Sequence, residues 1–138
     1  MAPRGPRLAL LLPLIQLTVC LALASGQSCR DRNYRFRWNH VDIRRLSHTR
    51  HNSYCNMRMK KMSIYEKAVN TFIHAPSEAV NFICMGGGIR IPPDLLRSKR
   101  YFKLTTCTYN KSLSYTGRYH RRQIVVRCCH RLATYLQE

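Results

Sequence analysis

The spacing of apolar positions changes along the chain, and each change predicts a different element. From Leu8 to Ala24 the chain is almost continuously apolar, with Arg4 and Arg7 before it and the small residues Ala24, Ser25 and Gly26 after it. A basic start, an apolar run and a small-residue end predict an export signal over residues 1–26, with the mature chain beginning at Gln27. An uncleaved membrane anchor is the competing reading. The run is short for a span and is interrupted by Pro13 and Gln16, which argues against an anchor. No other stretch is long and apolar enough to cross a bilayer.

Beyond the signal, Phe36, Ile43 and Leu46 recur at helical spacing among arginines, with Trp38 and Val41 nearby, predicting a helix over Asn33–Arg45 that carries His40. Ser47 to Ser53 is polar and reads as a loop. A second helix is predicted over Tyr54–Met62, where the methionines read as core filler. Val69–Ile73, β-branched and aromatic, predicts a strand. Pro76 and Glu78 then mark a helix start, and this third helix should run to about Cys84. Gly86, Gly87 and Gly88 and the pair Pro92-Pro93 bracket a stretch without regular pattern. Tyr101–Tyr109 and Gln123–Cys129 read as strands. Helices first and strands mostly after predict an α+β fold with an antiparallel sheet.

Composition sharpens this. Of 138 residues, 112 remain once the first 26 are removed, enough for one domain with a modest core. Cys20 leaves with the signal, and Cys29, Cys55, Cys84, Cys107, Cys128 and Cys129 remain. An even count in a short exported chain predicts disulfides, although spacing alone leaves the pairing open. Of 24 Lys and Arg, removal of Arg4 and Arg7 leaves 22 against six acids, a net charge of +16. Such an excess exceeds what solubility needs and attracts polyanions: RNA, heparin or heparan sulfate, and anionic lipid or bacterial envelopes. Arg118, Arg121 and Arg122 interleave with Tyr119, as polyanion-binding surfaces often do. Arg97, Lys99 and Arg100 form a second basic stretch, whose order also fits a convertase cleavage site; an exposed basic loop is the plainer reading. Asn110 opens a glycosylation sequon on a predicted turn. Cys128, Cys129 and His130 lack a second pair at zinc spacing, so neither a metal nor a cofactor is expected.

Four segments, in order, resemble the ribonuclease A superfamily: Phe36 to Asp42 around His40, Tyr54 to Met57, Lys67 to His74 with Asn70-Thr71-Phe72, and Ile124 to Cys128. The resemblance implies three short helices packed on a curved antiparallel sheet, in a secreted, monomeric protein. It pairs Cys55 with Cys107 and Cys84 with Cys128. Glu66 and Leu113 stand where the family has a further half-cystine pair, and the short bridge of the loop after Cys84 is also missing. Cys29 and Cys129 are left over. An intramolecular pair closes the count, with an intermolecular bridge or free thiols as the alternatives.

Ribonuclease chemistry needs a base for the ribose 2′-hydroxyl, a cation for the charge that builds at phosphorus, and an acid for the departing 5′-oxygen. The resemblance assigns the base to His40 and the cation to Lys67. It gives Asn39 a phosphate contact, Thr71 a pyrimidine contact, and Asn70 the positioning of the histidine. The acid should be a histidine about nine residues past the last half-cystine, yet the tail from Ala133 to Glu138 contains none. His130 lies too close to the cysteine, and His120 is assigned to the turn before it. The expectation is a catalytically inactive, polyanion-binding relative with a reproductive-tract or host-defence role. A weakly active pyrimidine-preferring endoribonuclease and an angiogenin-like receptor ligand are the alternatives.

Overall fold

The computed structural model describes residues 27–44, 50–62, 67–112 and 114–138. The predicted export signal, Cys20, Glu66 and Leu113 lie outside the described residues.

Helix α1 spans Cys29–His40, with Ser28 Oγ accepting from the Asp31 N–H at its start (3.1 Å). Its buried face is Asn33, Phe36 and His40, spaced three and four apart. The helix stops short of the predicted Arg45 because Val41 turns extended, bridges Ile73 in parallel, and is followed by an Asp42 N–H that donates to the Ile73 carbonyl (2.9 Å). A strand contact takes over from the helix there. Ile43, expected on the buried face, is exposed.

Helix α2 spans His51–Lys61 and buries Tyr54, Cys55 and Met59. Strand β1, Val69–Ile73, follows as predicted and is buried from Asn70 onward. Helix α3 covers only Ser77–Asn81 and tightens into a 3₁₀ turn, Phe82–Met85, which Gly86 ends at a φ of 108°. The stretch expected to be patternless is a hairpin instead: β2 (Gly88–Ile91) and β3 (Leu95–Ser98), joined through Pro92, Pro93 and Asp94. Only Ser98 of these two strands is buried, so the period-two signal is too faint to read.

Four longer strands complete the chain: β4 (Phe102–Asn110), β5 (Ser114–Arg122), β6 (Val125–Cys129) and β7 (Leu132–Gln137). Among the described residues they form two antiparallel sheets, β1-β4-β5 and β2-β3-β6-β7, where the sequence suggested one. The α+β class holds. One cluster of buried residues gathers Phe36, Ile73, Phe102, Leu104, Val126 and Leu136, and another gathers Tyr54, Met59, Phe72 and Tyr115. Disulfides join Cys55 to Cys107, Cys84 to Cys128, and Cys29 to Cys129, the last closing a sequence separation of 100. Among the described residues no helix is long and apolar enough to cross a membrane.

Candidate active-site groove

His40 ends α1 and is held against β1. Its Nδ1 lies 2.9 Å from the Thr71 carbonyl oxygen, which can only accept, so Nδ1 carries the proton and Nε2 is left as the basic nitrogen. Burial pushes the imidazole down from 6.5 to about 4, against the bond to Thr71 and assisted by the charge of Lys67. At neutral pH His40 is therefore a neutral base.

Lys67, just before β1, donates to Asn70 Oδ1 (2.7 Å). Asn70 is fully buried and its Nδ2 donates to the Asn39 carbonyl (2.9 Å). One amide thus ties the cation to the residue before the base. Asn39, His40 and Lys67 line a groove of about 480 Å³, to which β7 contributes Thr134, Tyr135 and Leu136. A cleft of similar size between α1 and α2 is lined by Trp38, Ile43 and Met57, and none of the residues matched to catalysis borders it.

The third wall of the groove was not legible in the sequence. Glu138 Oε1 accepts the Thr71 backbone N–H (2.5 Å), while its carboxylate lies 3.7 Å from Lys67 Nζ and 4.0 Å from His40 Nδ1. Because His40 is neutral near pH 7, Lys67 is the charged partner. Thr71 Oγ1 lies 3.0 Å from Thr106 Oγ1, directly opposite it in the β1–β4 register, and Thr106 Oγ1 lies 2.8 Å from His120 Nε2. His120 therefore belongs to β5, a correction to its assignment to a turn; it is linked to Thr71 through Thr106 and does not border the groove. Partial burial, with the charges of Arg122 and Arg118, holds it below its ordinary value. His130 sits in the β6–β7 turn at a φ of 46° and does not border the groove.

Among the described lining residues the groove has a base and a cation. Glu138 lies within 4.0 Å of both, on the Thr71 side, and is already engaged. The anion that the arrangement holds beside the neutral imidazole is the Glu138 side chain. Among the described lining residues there is no second histidine to protonate a leaving oxygen.

The remaining candidates lie away from the groove. In the β4–β5 register Lys103 faces Arg121 and Thr106 faces Arg118, while Arg100 covers the Phe102 ring (4.6 Å) and Arg121 the Tyr101 ring (5.7 Å). Arg97 is exposed on β3, beside the buried Ser98. The Ser98 and Lys99 N–H groups donate to Ile124 and Gly87, and Ser98 Oγ donates to the Arg100 carbonyl (2.7 Å), so this basic stretch is pinned rather than loose. Asn110 Oδ1 accepts from the Ser112 N–H, Ser112 Oγ and Ser114 Oγ, shaping the β4–β5 turn. Among the described residues no cluster of His, Cys, Asp and Glu could hold a metal ion.

Comparison with known proteins agrees with this geometry. A family model described as pancreatic ribonuclease matches residues 31–136. The pancreatic ribonuclease of Iguana iguana is 29% identical over 101 residues, 67% of this chain and 85% of that protein. A ribonuclease homolog of Gallus gallus is 27% identical over 128 residues, 87% of this chain and 84% of that protein. The crystal structure of green turtle egg white ribonuclease superposes with a TM-score of 0.72 at 29% identity, covering 78% of this chain and 97% of that one.

Proposed function

The chain belongs to the pancreatic ribonuclease family, and we propose that within it this protein is a secreted, non-catalytic binder of polyanions. RNA, heparin-like glycans and anionic envelopes are the ligand classes its charge favours. The observation that carries this reading is the uncompensated positive charge along β4 and the edge strand β5. Lys103 stands directly opposite Arg121, and like charges facing each other across a sheet oppose its stability. Among the described residues the ion pairs of Asp42, Asp94 and Glu138 are with Arg58, Arg127 and Lys67, with His40 also near Glu138, and none is with Lys103, Arg118, Arg121 or Arg122. A polyanion held along these strands would neutralise repulsion that the fold otherwise tolerates.

The groove supports the non-catalytic reading. General acid catalysis is typically worth about 10²- to 10⁴-fold, and among the described residues lining the groove there is no second histidine to provide it. The neutral tautomer of His40 is the one feature that favours the rival reading, a feeble ribonuclease. Export, and a glycan on Asn110, belong to the same proposal.

Heparin affinity chromatography and titration of single-stranded RNA test the binding claim. The logarithm of affinity should fall linearly with that of salt, with a slope of about −0.7 per phosphate neutralised on single strands. Arg118→Ala with Arg121→Ala should flatten that slope and weaken binding. An affinity indifferent to salt would refute the reading and point to a shaped protein partner.

A further inference from the structure

This chain spends its acids sparingly: six Asp and Glu against 24 Lys and Arg. Two of them hold structural cations well outside the groove. Asp42 lies 3.2 Å from Arg58 and takes the Tyr54 hydroxyl, and Asp94 takes Arg127 at 2.6 Å. Glu138 is different, because its partners are groove residues.

Its two carboxylate oxygens divide the work. Oε1 occupies the backbone N–H of Thr71, and Oε2 lies 3.7 Å from the Lys67 ammonium. These are a neutral donor and a cation spaced for a small ligand that carries two acceptor oxygens, at least one of them charged. A phosphate, or a base carbonyl next to a phosphate, would need the same two groups. Asn70 holds Lys67 from the other side at 2.7 Å, so the cation stays in the groove whether or not Glu138 is there.

We propose that Glu138 determines what the groove accepts: its side chain is a tethered anion that occupies the Thr71 and Lys67 donors and keeps nucleotide phosphate out. Polyanions then bind along the basic β4–β5 strands and not in the groove. The tether gives Glu138 the advantage, since a competitor on the same chain acts at an effective concentration in the millimolar range, whereas a free ligand must displace it. If the open groove is populated about one part in ten, the apparent affinity for an entering ligand falls about tenfold. The same occupancy bears on catalysis. Even with an acid supplied, a pyrimidine would first have to win Thr71 back.

The inference rests on the polyanion reading in one respect, that anionic ligands are drawn to this molecule. Heparin retention by the unaltered chain tests that reading alone. Glu138 is tested by titrating the full chain with 2′-deoxycytidine 3′-monophosphate, which lacks the hydroxyl needed for cleavage, and with inorganic phosphate. Calorimetry gives the affinity, and the nuclear magnetic resonance signals of His40 locate the ligand. Glu138→Gln and Glu138→Ala should each bind the nucleotide about tenfold more tightly than the unaltered chain, with His40 shifting on binding. Adding Lys67→Ala should abolish the gain. Unfolding midpoints close to that of the unaltered chain would show that both variants fold. Affinities within twofold of the unaltered chain would overturn the proposal, as would a gain that survives Lys67→Ala.

Discussion

His40 is the residue at which the fold and the chemistry meet, and its titration makes a prediction about stability. The unfolded chain takes up a proton on this histidine near 6.5, whereas the folded chain refuses it until about 4. Between those values the unfolded state binds more protons, so stability rises with pH. The contribution of neutral His40 is complete above 6.5 and is lost as the pH falls toward 4, a loss of about 3 kcal/mol in all. Urea unfolding at pH 7.5, 5.5 and 4.5 should show this decline, and His40→Asn should flatten it. Equal pH dependence in the two proteins would contradict the assigned burial. His40, Lys67 and Asn70 were legible as residues because they sit in short ordered motifs. Glu138 and Thr106 were not, since a lone acid and a strand threonine carry no local signal, and only the β1–β4 register and the end of β7 bring them to Thr71.

Among the elements, the legible ones bury a face with a definite period. Phe36 and His40 mark α1, and the apolar run Val69–Ile73 marks β1. Strand β5 carries little local signal because Thr116 to Arg122 is mostly polar, and its strand character comes from pairing with β4 rather than from its own residues. The third helix was predicted as one piece, but it tightens into a 3₁₀ turn where Gly86 reverses the chain. Gly117 fixes how α2 meets β5. A Cβ there would collide with the His51 carbonyl oxygen, and the Gly117 N–H donates to Asn52 Oδ1 (2.7 Å). Gly117→Ala must push the first turn of α2 off the sheet. A cost of about 1–3 kcal/mol is expected in denaturant unfolding, the usual range for forced overpacking. A change below about 0.5 kcal/mol would mean that α2 is not seated as described.

At the scale of the whole molecule, three bridges tie helices to sheets, and the one from Cys29 to Cys129 spans the longest loop. Replacing both cysteines with alanine should cost about 2–4 kcal/mol, read as a lower denaturant midpoint, with the other two bridges still formed on peptide mapping. An unchanged midpoint would mean that this bridge contributes nothing to stability. The three bridges oppose the expansion that self-repulsion in so basic a chain favours. The central claim is that this molecule keeps a ribonuclease's base and cation but binds polyanions instead of cleaving them. Incubating pure, refolded protein with a pyrimidine-containing RNA, beside His40→Ala, tests it most directly. The two should release cleavage products at the same background rate; turnover by the unaltered protein that His40→Ala abolishes would contradict the account.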